Sequence, residues 1–514
     1  MLCAVGCVAL AAIAGVERAQ EPDRLTSALV YPGPDGKLVY VPDEEGNCIP
    51  DFSNCGYMGG GVRIPDVAVK VTVEPGDGDD GERIQAGINE AAELPLDDQG
   101  FRGAVLLKRG TYQIAGTLRI ASSGIVLRGE GPGEDGTVLT AAGTRRRTLI
   151  TIAGEDKRTE VPETRHRIVD AYFPVGARSF HVDGTAGLRR GDPVIVLRPS
   201  TAEWIHDIGM DRIPERTSGE KVVQWTAGSK DLPFDRVITA IKGNTITIDA
   251  PLVNALQQEY GGGYVYRYSF PGRISKAGIE RLRGVSEYKH ETDEEHAWSF
   301  IGLSAVENAW VRRVTAVHFG YAAVNVSRRC KWLTIEDCEC LDPISRIAGS
   351  RRYSFALTGE LTLVQRCYAR HGRHDFVMHS VVPGPNVFLD CTAENAHSDT
   401  GPHHRWSTGT LYDNVRVAGN AINVRNRGNS GTGHGWAGAQ MVFWNCTADS
   451  IACQRPPTAQ NWAIGCGAGR RSGDGYWESF GQPVQPRSLY LAQLRDRLGP
   501  EAVANISPSA APTR

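Results

Sequence analysis

A short apolar strand that recurs between Trp310 and Cys466 constrains the fold of this chain more than any other feature of its sequence. The copies read W-V-R-R-V, L-T-I-E-D-C, L-V-Q-R-C, V-F-L-D-C, L-Y-D-N-V, M-V-F-W-N-C and W-A-I-G-C, and their last residues lie 24, 29, 24, 24, 31 and 20 residues apart. Such a period is typical of stacked structural repeats rather than of separate globular domains. Each copy alternates apolar and polar side chains, as a strand with one buried face does.

The last position of each copy, here called the anchor, is always a small apolar residue. Five anchors are cysteines and two are valines: Val314, Cys338, Cys367, Cys391, Val415, Cys446 and Cys466. A disulfide framework would leave some of these cysteines unpaired and would not accept valine. The anchors therefore predict an internal stack of reduced side chains, one per coil, inside a parallel β-helix.

Motifs before the repeat point to the same architecture. D-F-S-N-C-G-Y-M-G-G-G begins at Asp51, and G-D-G-D-D-G-E-R-I-Q-A-G-I begins at Gly76 and predicts a short amphipathic helix. The strands L-L-K-R-G-T-Y-Q-I and G-I-V-L-R-G-E-G follow. Together these motifs resemble the N-terminal cap and first coils of the pectate-lyase-like superfamily, over most of residues 45–480. The resemblance implies an all-β, right-handed, single-stranded parallel β-helix that acts as a polysaccharide lyase, glycoside hydrolase, uronate epimerase or phage tailspike.

The composition of the chain and the spacing of its predicted strands divide it into six predicted segments. They are a signal peptide at 1–20, an N-terminal extension and cap at 21–75, first coils at 76–154, a β-rich insertion at 155–270, the main β-helix with its groove at 271–482, and a C-terminal helix and tail at 483–514. The apolar run M-L-C-A-V-G-C-V-A-L-A-A-I-A-G carries the signal-peptide prediction, which implies a secreted or periplasmic protein. We expect the C-terminal helix to cover an open end of the coil.

Net charge and hydropathy limit the classes of partner that this protein is expected to bind. A formal net charge of -3 gives no support for nucleic-acid binding, and no later apolar run is long enough for an integral membrane segment. We expect a monomer that binds an anionic polysaccharide. Cys48 and Cys55 flank one loop and form either a disulfide or two free thiols.

Histidine density marks the candidate site, because six of the 13 histidines lie between residues 371 and 404, on two consecutive coils. R-H-D-F-V-M-H-S starts at Arg373, and S-D-T-G-P-H-H-R-W starts one coil later at Ser398. Stacked coils make neighbours of residues at equivalent positions. The predicted catalytic residues are His374, His379, His403, His404 and Arg405. The predicted substrate-binding residues are Arg373, Trp406, Asn423, Arg425, Arg427 and His434.

These residue types suit β-elimination at a uronic acid. The reaction needs a cation to neutralise the carboxylate, a base to remove the C-5 proton and an acid to protonate the departing oxygen. Arginines bind carboxylates through paired donors, and His374 or His403 is the expected base because imidazole titrates near neutral pH. Lys331 is the only lysine between residues 300 and 480, so we do not expect a lysine base. The predicted function is that of a secreted polysaccharide lyase.

Three alternatives stay open. A glycoside hydrolase would require paired carboxylates, and although G-H-G at 433–435 resembles a polygalacturonase motif, the companion N-T-D, D-D and R-I-K motifs are missing where that family needs them. A uronate epimerase on the same fold is the second alternative. A non-catalytic glycan-binding β-helix would use Trp406, Trp436 and Trp477 as stacking platforms.

We expect no cofactor. Calcium held by Asp375 and Asp399 is the alternative, but two carboxylates among so many cations are expected to orient histidines instead.

Overall fold

Parallel pairing between strands of successive coils dominates the computed structural model, which describes residues 25–507. The signal peptide predicted at 1–20 and the last residues of the predicted tail, 508–514, lie outside that range. The coils wind in the right-handed sense that connections between parallel strands adopt. The right-handed parallel β-helix predicted from the recurring strand is therefore confirmed.

Each complete coil contributes strands to three sheets. The first sheet contains Val69–Val73, Gly103–Leu107, Ile125–Arg128, Ile274–Ser275, Lys331–Glu336, Leu363–Gln365, Asn386–Leu389, Thr410–Asp413, Val442–Trp444, Trp462–Ile464 and Tyr476–Glu478. The second contains Gly110–Ile114, Thr137–Ala141, Glu339–Leu341, Tyr368–Arg370, Thr392–Glu394, Arg416–Val424, Thr447–Cys453 and Gly467–Ser472. Gly278–Ser286 and Val306–Val317 run through both sheets and join them. The third contains Leu118–Ile120, Thr148–Ala153, Ser299–Ser304, Ala322–Val326, Phe355–Leu357, Phe376–Met378 and Gly401–Pro402, and a further pair of strands, Ser407–Thr408 and Gly438–Ala439, follows.

The bend between the first and second sheets explains why the anchor side chains point into the coil. The residue before each anchor has a positive φ, as in Asp337 (54°), Asp390 (51°) and Asn414 (54°). A single left-handed residue between two extended segments turns the chain sharply, so the next side chain points into the coil. All seven anchors belong to the same buried core, and the cysteines are free thiols. The predicted internal row is confirmed, and burial raises the pKa of Cys338 and Cys367 well above the ordinary range of a thiol.

Helices cover two different surfaces. Gly81–Glu93 packs Ile84 and Ile88 over the N-terminal end of the core, as its spacing predicts. Leu489–Leu498 and Pro500–Ile506 lie on the outer face of the first sheet, against apolar residues such as Leu389 and Trp444. The expectation that the C-terminal helix covers an open coil end is wrong, because this outward apolar face needs covering instead.

Two antiparallel regions lie outside the coils, one before them and one between them. Val30–Pro32 pairs with Leu38–Tyr40 in a hairpin, and Cys48 and Cys55 nearby are both free. Between the coils, seven antiparallel strands form one sheet: Thr159–Glu160, His166–Ile168, Ser179–His181, Pro193–Arg198, Leu232–Lys242, Thr245–Ile248 and Gly263–Ser269. Tyr172–Phe173 pairs with Leu256–Gln257, and the short helix Ala202–Asp207 and the 3-10 turns Tyr57–Gly59 and Gln258–Tyr260 complete the elements.

A buried charge cluster joins this antiparallel sheet to the coils. Asp235, on the sheet, accepts hydrogen bonds from Lys331 Nζ at 2.7 Å, Arg273 Nη1 at 3.0 Å and the Tyr268 hydroxyl at 2.9 Å. Burial opposes ionisation, but Lys331 and Arg273 outweigh it and lower the pKa of Asp235. Removing one partner would leave a buried charge unpaired, so the cluster holds the sheet in one position.

Candidate active site

A cavity of about 510 Å³ opens over the outward face of the third sheet. Alternation along the strands places Phe355 and Phe376 in the coil interior, whereas Ala356 and Val377 face outward and pack against Tyr353. The cavity is lined by side chains that precede or follow third-sheet strands on neighbouring coils. Its lining side chains with an imidazole, guanidinium or phenol group are His379, His403, His404, His434, Arg373, Arg405, Arg427, Tyr321 and Tyr353.

Five imidazole rings form a continuous group at this cavity. Ring centroids lie 4.5 Å apart for His374 and His403, 5.0 Å for His403 and His404, and 4.9 Å for His403 and His434. His379 joins through His404, at 5.9 Å. The strand register explains why His379 lies beside the His403–His404 pair, because Met378 pairs with Pro402 and the histidines follow these two residues directly. The histidines that the sequence places on adjacent coils are thus brought together.

Tyr353 lies at the centre of the group. Its ring centroid is 5.2 Å from that of His403 and 5.0 Å from that of His374. Its hydroxyl oxygen is 3.1 Å from His403 Nε2 and accepts a hydrogen bond from the Ser350 backbone N–H at 3.3 Å. Because Ser350 supplies that donor, the phenol proton is free to be donated to His403 Nε2. A second pair, Tyr321 with His379 Nε2 at 2.9 Å, lies in the same cavity.

Burial keeps these imidazoles neutral at physiological pH. It lowers the pKa of His379 to about 4. Burial together with the neighbouring arginines lowers the pKa of His434 to about 4, and burial together with the neighbouring His379, His434 and Arg405 lowers that of His404 to about 2. The pKa of His403 is lowered in the same direction, by burial and by the adjacent His374 and Arg427. Neutral imidazoles can accept protons, which is the state that a general base requires.

The cations of the cavity are only partly compensated. Arg427 pairs with the carboxylate of Asp399, whereas Arg405 donates to the Thr432 hydroxyl and Arg373 has no carboxylate partner within the described residues. Burial lowers the pKa of Arg405. Of the described residues that line the cavity, none is an aspartate or a glutamate. The arrangement favours an anionic ligand.

His374 does not face the cavity. It is 1% exposed, and its Nδ1–H donates to the carbonyl oxygen of Asp399, which leaves Nε2 unprotonated. Burial lowers its pKa to about 3. The prediction that His374 contacts the substrate is therefore wrong, because its buried ring does not line the cavity; it packs edge-on against the ring of His403, which does.

Trp406 is not a sugar-stacking platform. The backbone φ angles of Arg405 and Trp406 are both positive, at 56° and 59°, so the chain reverses and Trp406 turns away from the cavity. Its side chain is fully buried, packs edge-on against Trp204 at 4.8 Å and donates to Asn254 Oδ1 at 2.9 Å. The prediction that Trp406 binds substrate is wrong, because the helix and loop residues Trp204 and Asn254 of the inserted segment cover it.

Four other predicted residues lie outside the cavity lining. Asn423 and Arg425 belong to the end of a second-sheet strand and the residues after it, and neither lines the histidine cavity. Asp375 is fully buried beside the Ser354 hydroxyl, and burial raises its pKa to about 7. Although burial opposes it, His374 and Arg427 lower the pKa of Asp399 to about 2.

The donor set of the cavity does not fit calcium. Calcium takes six to eight oxygen ligands, mostly from carboxylates and carbonyls. The cavity side chains offer chiefly imidazole and guanidinium nitrogens, and residues 25–507 contain no group of three or more histidine, cysteine or acidic residues arranged to hold a metal ion. Asp375 and Asp399 are committed to Ser354 and Arg427.

Sequence reasoning missed Tyr353, although a signal for it exists. Y-S-F-A-L and H-D-F-V-M align when third-sheet strands are matched, since Phe355 pairs with Phe376. Alignment on the anchors alone hides this, because the loop after Cys338 is longer than the one after Cys367. The sequence also assigns no role to the inserted segment. It contacts the cavity rim through Val223 N, which donates to Thr432 O at 3.1 Å.

No helix within residues 25–507 has the length and apolar character needed to cross a bilayer. No protein-family model and no curated protein matches the sequence.

Similar folds are found among solved structures. A tailspike of an Acinetobacter baumannii bacteriophage, solved with a capsular saccharide, matches 78% of this chain with 11% identity and a TM-score of 0.44. A Pseudomonas phage tailspike matches 79% with 14% identity and a TM-score of 0.41. A hyperthermoactive exopolygalacturonase from Thermotoga maritima matches 81% with 10% identity and a TM-score of 0.36. The chain spans 62% of the first tailspike, 72% of the second and 90% of the exopolygalacturonase.

Proposed function

We propose that this protein is an exported enzyme that cleaves a uronic-acid-containing polysaccharide by β-elimination. One observation carries the proposal: Tyr353 and His403 form a hydrogen-bonded pair, 3.1 Å apart, on the wall of a cavity that presents arginines and lacks carboxylates among its described lining residues. Proton transfer and carboxylate binding are the two functions that elimination at a uronate demands.

Arg405 and Arg373 are placed to receive the uronate carboxylate. Both line the cavity, and neither is paired with a carboxylate of the described chain, whereas Asp399 already neutralises Arg427. A guanidinium binds a carboxylate through two parallel hydrogen bonds, which draws charge from the group next to C-5. The C-5 proton becomes more acidic as a result, and the developing enolate is stabilised by the same cations.

Tyr353 and His403 then move the protons. The phenol oxygen takes the C-5 proton as the phenol proton passes to His403 Nε2, which becomes an imidazolium. The C-4 to oxygen bond breaks as the C-4 to C-5 double bond forms, and the imidazolium proton returns through the phenol to the departing oxygen. The pair ends in its starting state, so no external acid or base is consumed.

The bound substrate itself tunes this pair. In the free protein, burial and neighbouring cations hold the pKa of His403 below its ordinary value. A substrate carboxylate placed among these cations removes part of that repulsion and raises the pKa of the imidazole. His403 therefore becomes a stronger proton acceptor only when a uronate occupies the cavity.

The alternatives fit the geometry less well. A hydrolase would need two carboxylates facing the cleaved bond, and the described cavity lining offers none. In the G-H-G motif, Gly433 and Gly435 instead let the backbone approach Val222 and Met210 of the inserted segment, while His434 enters the cavity. We also propose that no metal takes part, since the donor set supplies nitrogens rather than the oxygens that calcium needs.

A screen of anionic polysaccharides tests the proposal. Polygalacturonate, alginate and glucuronate-containing chains are incubated with the protein, with and without a chelator, and new near-ultraviolet absorbance reports the C-4 to C-5 double bond. We expect absorbance that persists with the chelator. New reducing ends without absorbance would show hydrolysis, inverted C-5 stereochemistry in uncleaved chains would show epimerisation, and binding without cleavage would show a glycan-binding protein.

A further inference from the structure

A second cavity, of about 250 Å³, lies where three separate parts of the chain meet. Its lining comes from the loop before Cys48, from the inserted segment and from two loops of the last coils. The inserted segment contributes Tyr172 and Gln257, which are held side by side because their two short strands pair. The second cavity shares no lining residue with the histidine cavity, so the two can hold different ligands.

Buried aromatic side chains separate the two cavities. Thr458 lines the second cavity, and its hydroxyl accepts a hydrogen bond from Trp204 Nε1 at 3.1 Å. Trp204 packs against Trp406, whose neighbour in the chain, Arg405, lines the histidine cavity. Both tryptophans are fully buried. A ligand in the second cavity therefore lies beside the histidine cavity but outside it.

The side chain of Gln440 marks the second cavity as a binding site. Gln440 is 4% exposed, and its amide oxygen has no hydrogen-bond partner within residues 25–507. Like the residues before the anchors it has a positive φ, of 58°, and the next residue, Met441, packs into the coil interior. The Gln440 side chain therefore lies on the outside of the coil, where it lines the second cavity. A buried amide without a partner destabilises the protein, so a ligand that hydrogen-bonds to it is favoured.

Charged groups of both signs line the second cavity without pairing. The carboxylate of Glu45 makes no ion pair within residues 25–507, and its Oε2 lies 3.2 Å from the Tyr172 hydroxyl. The guanidinium of Arg455 has no carboxylate partner in the same range. Asp43 is engaged by its own turn, because its Oδ1 accepts from the backbone N–H groups of Glu45 at 3.0 Å and Asn47 at 2.8 Å. The free acceptor of Glu45 and the free donors of Arg455 thus border the same space as the Gln440 amide.

This set of groups favours one ligand class over the others. An anion would meet two carboxylates and a single guanidinium, and an apolar ligand would leave the Gln440 amide without a partner. A metal ion is not favoured either, because residues 25–507 contain no group of three or more histidine, cysteine or acidic residues arranged to hold one. The neighbouring hydroxyls of a sugar accept hydrogen bonds from guanidinium and amide N–H groups and donate to carboxylate and amide oxygens. A cavity of this size holds a single sugar ring.

We propose that the second cavity is a glycan-binding site that takes one neutral sugar residue, whose hydroxyls bond to Gln440, Glu45 and Arg455. The inference concerns binding alone, so it does not depend on the elimination proposed above. The inserted segment thereby acquires a function, since Tyr172 and Gln257 form one wall of this site.

Saturation-transfer NMR with the methyl glycosides of glucose, galactose and mannose, and with sodium galacturonate, tests the site. We expect at least one neutral glycoside to bind, and galacturonate to bind this cavity more weakly than methyl galactoside. Gln440→Met should weaken binding of the neutral glycoside roughly five- to tenfold, as loss of one or two hydrogen bonds does. Glu45→Gln should weaken it as well, because an ionised acceptor forms the stronger hydrogen bond. Gln113→Met is the matched control, since it makes the same change at an exposed glutamine of the strand Gly110–Ile114.

Urea unfolding of the same variants separates binding from folding. Gln440→Met should be at least as stable as the unmodified protein, because it removes a buried amide oxygen that has no partner. A clear loss of stability would show that Gln440 bonds within the protein, and it would overturn the site.

Three binding results would also overturn the inference: no binding of any neutral glycoside, equal binding to Gln440→Met and the Gln113→Met control, or preferential binding of galacturonate. Arg405→Ala should leave the glycoside affinity unchanged, whereas its loss would place the sugar in the histidine cavity instead. Glycoside binding that Gln440→Met weakens, in a protein that yields no elimination product from any polysaccharide, would retain the second site and refute the lyase.

Discussion

Replacing Tyr353 with phenylalanine separates the proposed chemistry from the packing of the site. The change removes the hydroxyl, with its bonds to His403 Nε2 at 3.1 Å and from Ser350 N at 3.3 Å. The ring and its contacts with Tyr321 and His379 remain. Loss of such hydrogen bonds costs about 1 kcal/mol of stability each. Loss of general acid–base catalysis lowers kcat by roughly 10²–10⁴-fold, which corresponds to about 3–5 kcal/mol of activation free energy. The activity loss should therefore far exceed the stability loss.

Initial rates of double-bond formation and urea unfolding of the same samples measure the two effects. Tyr321→Phe is the matched control, because it removes a hydroxyl that lies 2.9 Å from His379 Nε2 in the same cavity. We expect the control to lose less than about tenfold in kcat, since it breaks a hydrogen bond without breaking the proton path. Near-normal kcat in Tyr353→Phe, or equal losses in the two variants, would refute the assignment of Tyr353 as the proton-transfer group.

Three further predictions concern the core, the pH dependence and the carboxylate site. Cys391→Asp should lower the free energy of unfolding, measured in urea at pH 7, by about 4 kcal/mol or more, because a buried carboxyl of ordinary pKa about 3.9 must be protonated. Cys391→Val, which matches the next anchor Val415, should cost under about 1.5 kcal/mol. Equal costs for the two variants would contradict the internal stack of anchors. Because burial keeps His379 and His434 neutral down to about pH 4, kcat/KM should persist below pH 6.5 and fall only near pH 4. The free energy of unfolding should decline from about pH 6.5 downward, because the histidines of the unfolded chain take up protons before those of the folded protein do. A fall in kcat/KM centred at pH 6.5 would argue against buried, neutral imidazoles. Arg405→Lys should lower kcat/KM roughly tenfold or more, because a point charge cannot reproduce two parallel hydrogen bonds, and an unchanged value would exclude Arg405 from carboxylate binding.

The fold was predictable because it rests on a local pattern that repeats. Each coil needs an alternating strand, a bend and a small anchor, and these appear in the sequence at positions such as Cys338 and Val415. The left-handed residue before each anchor has no single sequence signature, since Asp337, Arg366 and Asn414 all adopt it. The register of the coil imposes that conformation, so the local propensity of the residue does not predict it.

The site was predictable only in part, because its geometry depends on loops of unequal length. Matching the coils by their anchors brings His403 next to His379. The same matching predicts that His374 and Trp406 contact the substrate, whereas both are buried in the structure. The direction of Trp406 is set by a chain reversal and by the inserted segment, whose Trp204, 202 residues earlier in the chain, packs against it. Such long-range contacts leave no period in the sequence.

The buried cluster around Asp235 has a consequence for how the cavity meets its ligand. Because Lys331 and Arg273 clamp the inserted sheet to the coils, the segment that borders the cavity cannot swing as a hinged lid without exposing unpaired charge. The cavity walls are therefore set when the chain folds, and little conformational entropy is lost there on association. Proteolysis should cut neither boundary of the insertion in the native protein, and the polysaccharide must enter sideways, threading along a rigid slot rather than being engulfed.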